Sequence, residues 1–176
     1  MLALARAAIV STLEDRPLSR PASEPSCFSL RQGLFVTLEV YGKLRGCIGV
    51  IEAQGQLRES IIHCAQSAAF RDPRFPPLRA EELSGLEIEI SVLSGLFPIA
   101  LDQIQIGKHG LVVATENQRG LLLPQVATEN KLSREEFLEE TCHKAGLARE
   151  AWRAPQTKIH AFTCEVFRQG TAPISG

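Results

Sequence analysis

The sequence contains two stretches rich in β-forming side chains, Gly33-Leu-Phe-Val-Thr-Leu-Glu-Val40 and Lys43-Leu-Arg-Gly-Cys-Ile-Gly-Val50, joined by Tyr41-Gly42. Branched and aromatic residues favour extended backbone, and a glycine in the connecting pair allows a tight reversal of the chain. The pattern therefore predicts an antiparallel hairpin.

Apolar residues recur at helical spacing on both sides of this hairpin. One stripe predicts a helix over 56–70, and a similar stripe predicts a helix over 2–13. Ser133 and Glu136 form a capping-box pattern, which predicts a third helix that ends near Ala145. Helices therefore alternate with extended segments along the chain.

Three further regions have the pattern of strands. Residues 86–93 alternate apolar and polar side chains, 111–115 and 119–123 flank a short polar turn, and 159–167 alternate again. The middle pair predicts a second hairpin, and 159–167 predicts one continuous last strand. Since no strand–helix–strand period repeats, the order favours an α+β fold with antiparallel sheets and packed helices.

Composition excludes several classes of protein. The chain has 176 residues, 44% of them hydrophobic and 22% charged, and its formal net charge is -1. This balance removes the broad attraction between basic proteins and nucleic acid, so nucleic-acid binding is not expected. The apolar runs are too short to cross a bilayer and the N-terminus lacks a signal-peptide pattern, so we expect a cytoplasmic protein that binds no membrane.

The cysteines are odd in number and widely spaced. They are Cys27, Cys47, Cys64, Cys142 and Cys164. Zinc ribbons and iron–sulfur clusters need closely spaced thiolates, so the sequence predicts neither a metal site nor a cofactor. Reduced thiols are the expected state of all five.

The segment Leu44-Arg-Gly-Cys-Ile-Gly49 has two glycines inside a predicted strand, which weaken it and indicate a close approach by another part of the chain. Simple alternation puts Lys43, Arg45 and Cys47 on one face, where two cations favour the thiolate and hence a nucleophile. The alternative is a small packed cysteine in a strand where glycines permit close backbone contact.

Two loops could bind or activate a substrate. In Arg71-Asp-Pro-Arg-Phe-Pro-Pro77, Arg71 and Arg74 could bind a carboxylate or phosphate, with Asp72 orienting one of them or capping the turn. The alternative for this loop is a salt-bridged helix terminator.

The second loop is Gly107-Lys-His-Gly110, where glycines let the backbone approach a ligand and His109 titrates near neutral pH. It lacks the spacing of a nucleotide-binding P-loop. The alternative is a tight turn that carries an exposed lysine, Lys108, and an exposed histidine.

From Leu44-Arg-Gly-Cys-Ile-Gly49 onward, the sequence resembles the AMMECR domain family, whose prokaryotic members are called AmmeMemoRadiSam system protein A. The resemblance covers nearly the whole chain. The other segments that carry it are Ala69-Phe-Arg-Asp-Pro-Arg-Phe-Pro-Pro-Leu78, Leu86-Glu-Ile-Glu-Ile-Ser-Val-Leu93, Gly107-Lys-His-Gly-Leu111, Arg119-Gly-Leu-Leu-Leu-Pro-Gln-Val-Ala127, Phe137-Leu138, 142–147 and Trp152.

This resemblance implies a single domain over 1–176 with two lobes, a larger one built from both termini and a smaller inserted one. Each lobe is expected to hold an antiparallel sheet, and the motif around Cys47 is expected to face the cleft between them. The family name implies a Memo-like protein and a radical-SAM protein as partners. The chain itself has no C-x-x-x-C-x-x-C run, so it is not expected to be the cluster-bearing enzyme.

Two functions follow as hypotheses. The first is an enzyme or enzyme subunit that acts on a small molecule or a modified residue in the cleft, with Cys47 as nucleophile or thiol handle. In this hypothesis Arg45 stabilises the thiolate or binds an anionic group, and His109 is the acid or base. The residues expected to hold the substrate are Arg71, Asp72, Arg74 and Lys108. The second is a binding or scaffold module that docks a partner protein through the same cleft.

Overall fold

The computed structural model describes residues 1–169 and 174–175. The chain divides into two compact units. The first contains residues 1–93 together with the described residues from 165 onward, and the second contains 94–164. The cleft that the family resemblance implies stays a prediction.

Regular elements account for most of both units. The helices are α1 (Leu2–Leu13), α2 (Leu57–Phe70), α3 (Pro124–Glu129) and α4 (Arg134–Lys144). The strands are β1 (Leu34–Val40), β2 (Lys43–Val50), β3 (Leu86–Leu93), β4 (Phe97–Pro98), β5 (Gly110–Ala114), β6 (Arg119–Leu122), β7 (Lys158–Phe162), β8 (Cys164–Arg168) and β9 (Ile174–Ser175). Short 3₁₀ turns occur at Ser26–Ser29, Ala80–Gly85, Leu101–Gln103 and Arg149–Arg153.

The first unit has a five-stranded sheet in the order β2-β1-β3-β8-β9. The predicted hairpin is confirmed: β1 and β2 pair antiparallel, and Tyr41 and Gly42 reverse the chain with φ values of 52° and 72°. Both values lie in the left-handed region, which a two-residue turn needs to match the twist of its strands. β2 forms one edge of the sheet.

Packing of α2 on this sheet forms the core of the first unit. The predicted helix is confirmed with Gln56 as its N-cap, and every member of the apolar stripe is buried. These members are Leu57, Ile61, Cys64, Ala65 and Ala68. They pack against the side chains of β1 that alternate towards the helix, which are Leu34, Val36 and Leu38.

The two glycines inside β2 mark close approaches, as the sequence indicated. A Cβ on Gly46 would lie 2.1 Å from the carbonyl oxygen of Ala68, so α2 rests directly on the strand there. A Cβ on Gly49 would lie 2.3 Å from the ring of Phe35 and 2.4 Å from the carbonyl oxygen of Leu34. Neither position has room for a side chain.

The second unit has a four-stranded sheet in the order β4-β7-β5-β6. Its predicted hairpin is confirmed as β5 and β6, which pair antiparallel. The Ser133 hydroxyl accepts a hydrogen bond from the backbone N–H of Glu136, and the Glu136 carboxylate accepts one from the backbone N–H of Ser133. The predicted capping box of α4 is therefore confirmed. Gly146 follows the helix with φ 75°, a conformation that favours glycine.

The prediction of one last strand over 159–167 is wrong. β7 belongs to the sheet of the second unit and β8 to the sheet of the first, and Thr163 separates them. The N–H of Thr163 donates to Ser94 Oγ, and its carbonyl oxygen accepts from the N–H of Ser94. Since both backbone groups of Thr163 are bound outside a sheet ladder, the strand is interrupted there.

Helix α3, which begins at Pro124, is not among the predicted helices. Proline fits the first position of a helix, where no intrahelical N–H bond is needed.

Within the described residues, no helix has the length and apolar character that a membrane span needs.

We predict that Gly46→Ala lowers the free energy of unfolding by roughly 2 to 3 kcal/mol, because the new methyl group meets the backbone of α2. Chemical denaturation with urea measures the change. Gly95 is the matched control, since a Cβ there meets nothing within 4 Å, and Gly95→Ala should change stability by less than about 1 kcal/mol. Equal effects of the two substitutions would contradict the close approach.

Candidate functional site

Cys47 lies in the middle of the edge strand β2. Its neighbours Gly46 and Ile48 face α2 and the core, so the thiol lies on the opposite face of the sheet. Thr37 is its partner across the β1–β2 ladder, and the Thr37 hydroxyl donates to Cys47 Sγ over 3.4 Å. The thiol is therefore half-buried and has a hydroxyl donor beside it.

Both backbone groups of Cys47 that point away from β1 are bound by side chains. The N–H donates to Asp72 Oδ2 at 2.9 Å, and the carbonyl oxygen accepts from Arg74 Nη2 at 3.3 Å. An acid and a base from the loop after α2 thus occupy the place of a neighbouring strand. This fixes the position of the Cys47 backbone.

Asp72 is the centre of these contacts. Its side chain is only 1% exposed, and it accepts hydrogen bonds from the Nε and Nη2 of Arg74 at 2.9 and 2.7 Å and from the Arg74 backbone N–H at 3.1 Å. The Arg74 guanidinium, helped by the N–H groups of Cys47 and Arg74, holds the pKa of this carboxyl well below its usual range. Asp72 both orients Arg74 and caps the turn, the two roles that the sequence left open.

Arg45 binds the continuation of the same loop. Its Nε and Nη2 donate to the two carboxylate oxygens of Glu82 at 2.7 and 3.1 Å, and it also donates to the carbonyl oxygens of Pro76 at 2.7 Å and Pro77 at 3.3 Å. The side chain is 13% exposed. Within the described residues, the hydrogen bonds of this guanidinium all go to the loop and none goes to Cys47.

A β-bulge at Arg45 corrects one prediction. Leu38 pairs with Gly46 but Glu39 pairs with Leu44, so Arg45 has no partner in β1. Beyond the bulge the alternation is reversed, and Lys43, opposite Val40, lies on the face opposite to Cys47. The prediction that Lys43 shares the face of the thiol is wrong because simple alternation does not anticipate the extra residue.

The remaining predicted site residues are Arg71, Lys108 and His109. Arg71 follows α2 with an exposed side chain that makes no hydrogen bond or ion pair in the described part of the chain. Lys108 and His109 belong to the second unit. Hydrogen bonds thus join Cys47, Asp72 and Arg74, whereas Arg45 binds Glu82 and the carbonyl groups of Pro76 and Pro77.

His109 is 8% exposed, and burial is the main reason that its pKa is lowered, with the charge of Lys108 as a smaller one. Its Nδ1 accepts a hydrogen bond from the N–H of Gln105 at 3.2 Å, and Phe97 packs edge-on at 5.8 Å between ring centres. The alternative prediction, an exposed histidine on a turn, is wrong because the ring is packed and bonded. Lys108 is exposed, as that alternative states.

Sequence reasoning did not find Thr37 or Glu82. Counting back from the turn without a bulge pairs Thr37 with Gly46, so the contact with Cys47 was not predictable by alternation. Glu82 precedes a strand in a charged segment and had no local signal. Thr37 also lines a cavity of about 210 Å³ in the first unit, with Glu39, Glu87, Ile88, Glu89, Arg168 and Gln169 as the other lining residues.

The part of the chain that the structure describes contains no group of three or more histidine, cysteine, aspartate or glutamate side chains placed to hold a metal ion. The carboxylate beside Cys47 is already bound to Arg74. All five cysteines are free thiols.

Comparison with known proteins gives one consistent family. Residues 2–167 match the family model described as AMMECR1. A protein of Methanothermobacter thermautotrophicus is 42% identical over 96% of this chain and 92% of its own length, and one of Aquifex aeolicus is 38% identical over 94% and 89%. The crystal structure of the uncharacterized protein PH0010 from Pyrococcus horikoshii is similar with a TM-score of 0.91, at 37% identity over 99% of this chain and 94% of that one.

We predict that Asp72→Asn lowers the free energy of unfolding at pH 7 by about 2 kcal/mol, because it removes a buried carboxylate that accepts from Arg74 and Cys47. The carboxylate contributes this stability above the ordinary aspartate pKa of about 3.9 and loses it as the pH falls through its lower folded-state pKa. The difference between the two proteins should therefore shrink in acid. Urea denaturation at pH 7 and pH 3 measures it.

Glu81→Gln is the control for this substitution, because Glu81 is an exposed carboxylate in the same loop. It should leave stability nearly unchanged at both pH values. A loss in Glu81→Gln equal to that in Asp72→Asn would contradict the special role of the buried carboxylate.

Proposed function

This chain belongs to the AMMECR1 family, and on that premise we propose that it is a cytoplasmic enzyme or enzyme subunit with Cys47 as its reacting thiol. Its substrate is a small molecule or a modified residue. The single observation that supports this best is the hydrogen bond from the Thr37 hydroxyl to the half-buried sulfur of Cys47, at 3.4 Å.

A hydroxyl donor beside sulfur stabilises negative charge that develops there, as in a nucleophilic thiol. The backbone of Cys47 is held on both sides by Asp72 and Arg74, so the sulfur has a fixed position relative to the sheet. A fixed and partly accessible nucleophile lowers the entropic cost of reaching a reactive geometry.

Two of the other cysteines have less suitable surroundings. Cys64 and Cys142 are fully buried, and burial raises the pKa of the Cys64 thiol to about 11 and also raises that of Cys142. Such thiols are poor nucleophiles near neutral pH. Cys27 and Cys164 are half-buried like Cys47, and they serve as comparisons for its reactivity.

Space for a small molecule exists beside Thr37, although Cys47 is not among the residues that line it. The cavity of about 210 Å³ is lined by Thr37, the residue that donates to Cys47. Glu89 and Arg168 form an ion pair on its wall. A compact polar molecule in this cavity would contact the residue that donates to Cys47, which favours a small-molecule substrate over a large surface.

The partners in this proposal are a Memo-like protein and a radical-SAM protein. The sequence resemblance to AmmeMemoRadiSam system protein A supports them. In such a system this chain supplies a thiol-bearing site, and the radical-SAM protein supplies the cluster chemistry.

A scaffold function is the second candidate, and one observation favours it. The charged groups of the motif bind one another and the loop: Arg45 holds Glu82, and Asp72 holds Arg74. Groups that are committed in this way stabilise the fold rather than a substrate. In a scaffold, the motif is needed for close packing and the sulfur of Cys47 is not needed.

Alkylation by iodoacetamide across a pH series, followed at each cysteine by peptide mass spectrometry, tests the reactive thiol. We expect Cys47 to react faster than Cys27 and Cys164, which are half-buried controls in the same molecule. Thr37→Val should slow Cys47 by about three- to tenfold, because one hydrogen bond to a developing charge is lost, and should leave the rate at Cys27 unchanged. An unreactive Cys47 supports the scaffold instead.

A second test uses the chain combined with its Memo-like and radical-SAM partners. Cys47→Ala should abolish the activity of the combined system, whereas Cys27→Ala should not. If Cys47→Ala binds both partners and supports full activity, the enzymatic proposal fails and the scaffold function remains.

A further inference from the structure

We propose that the loop 105–109 in the second unit is a binding site for an oxyanion, a carboxylate or a phosphate. In this site His109 donates a hydrogen bond from Nε2, and Lys108 supplies positive charge. The proposal concerns a different unit from Cys47 and does not depend on the reactivity of that thiol.

The loop holds the imidazole of His109 at two points. The backbone N–H of His109 donates to the carbonyl oxygen of Gln105 at 3.0 Å, and the N–H of Gln105 donates to Nδ1 of His109 at 3.2 Å. Gly107 allows this closed arrangement with φ 82°, in the left-handed region. Phe97 packs against the ring from the side. The orientation of the imidazole is therefore fixed before any ligand arrives.

These contacts also determine which nitrogen carries the proton. An Nδ1 that accepts from Gln105 is unprotonated, so the proton of the neutral ring is on Nε2. In this state Nε2 can donate a hydrogen bond but cannot accept a proton. His109 is thus a fixed donor rather than a base.

The donor atom has no partner in the part of the chain that the structure describes. His109 is more than nine-tenths buried, yet Nε2 makes no hydrogen bond there. Among those same residues, Nε1 of Trp152 is the one fully buried side-chain nitrogen or oxygen without a hydrogen-bond partner. Nε2 of His109 also has no partner but is not in that class, so it reaches the molecular surface. A rigid, packed ring that presents one unpaired N–H at the surface is suited to an acceptor from outside.

The charges around this loop favour an anionic acceptor. Lys108 is exposed and its ammonium group makes no ion pair within the described residues. Arg134 donates from Nε to the carbonyl oxygen of Ile104, immediately before the loop, at 3.1 Å. The nearby 3₁₀ turn contributes one carboxylate, Asp102. An N–H donor beside an exposed lysine matches a carboxylate or phosphate oxygen better than a cation.

Nuclear magnetic resonance of the full ¹⁵N-labelled chain tests the donor. Long-range proton–nitrogen spectra of His109 should have an unprotonated Nδ1 and a protonated Nε2 at neutral pH. Titration with inorganic phosphate and, separately, with sodium acetate should shift the Nε2 proton and the amides of 105–109 until they saturate. The ion with the tighter binding identifies the class of oxyanion.

Two substitutions separate the donor from the structural role of the ring. His109→Asn keeps an acceptor for the N–H of Gln105 but has no donor at the position of Nε2, and it should weaken binding at least about tenfold. Lys108→Ala should weaken binding about threefold. Lys158→Ala is the control for general charge, because Lys158 is an exposed lysine elsewhere in the second unit, and it should have no effect.

The proposal is overturned if the proton is found on Nδ1, or if neither ion gives a saturable shift at this loop. It is also overturned if His109→Asn, with the remaining amide spectrum unchanged, binds as well as the original chain. An equal loss of binding in Lys108→Ala and Lys158→Ala would show that only the overall charge of the protein matters, which also contradicts a site at this loop.

Discussion

The buried carboxylate of Asp72 is the group on which the arrangement of the first unit depends. It binds the guanidinium of Arg74 and the backbone N–H of Cys47, and so joins the end of α2 to the edge strand β2. Arg45 makes the second attachment, through Glu82 and two proline carbonyl groups. Because the carboxylate is almost completely buried, each of its bonds is worth more than at the surface, and losing one partner leaves a buried charge without compensation.

Local patterns were sufficient to predict most of the fold. The hairpin, α2 and the capping box of α4 follow from turn residues, apolar spacing and a Ser–Glu pair, all within a few residues of one another. One failure is long-range. Residues 159–167 have the alternation of one strand, but the bonds between Thr163 and Ser94 divide them between two sheets. No window around Thr163 contains Ser94, so periodicity could not detect the break.

The candidate site was predictable as residues but not as a network. Cys47, Arg45, Asp72 and Arg74 were each recognised from their motifs, with substrate binding expected of the charged ones. In the structure Asp72 binds Arg74 and Arg45 binds Glu82, and the bulge at Arg45 brings Thr37 opposite the thiol. The alternation of residues in β2 does not encode the extra residue of this bulge, so it does not give the register beyond it. The contacts of His109 with Gln105 and Phe97 are not predictable from Gly107-Lys-His-Gly110, because both partners lie outside that motif.

The edge of β2 is closed by ionised side chains rather than by another strand. An open strand edge is a template on which a second chain can add, and proteins commonly protect such edges with charge. At Cys47 the protection consists of one acid–base pair, so it is present only while the Asp72 carboxylate is ionised. The tendency of the protein to self-associate is therefore linked to this pair. A chain that is protonated or substituted at position 72 exposes the backbone donor and acceptor of Cys47 to other copies of the chain. Self-association would then begin at β2.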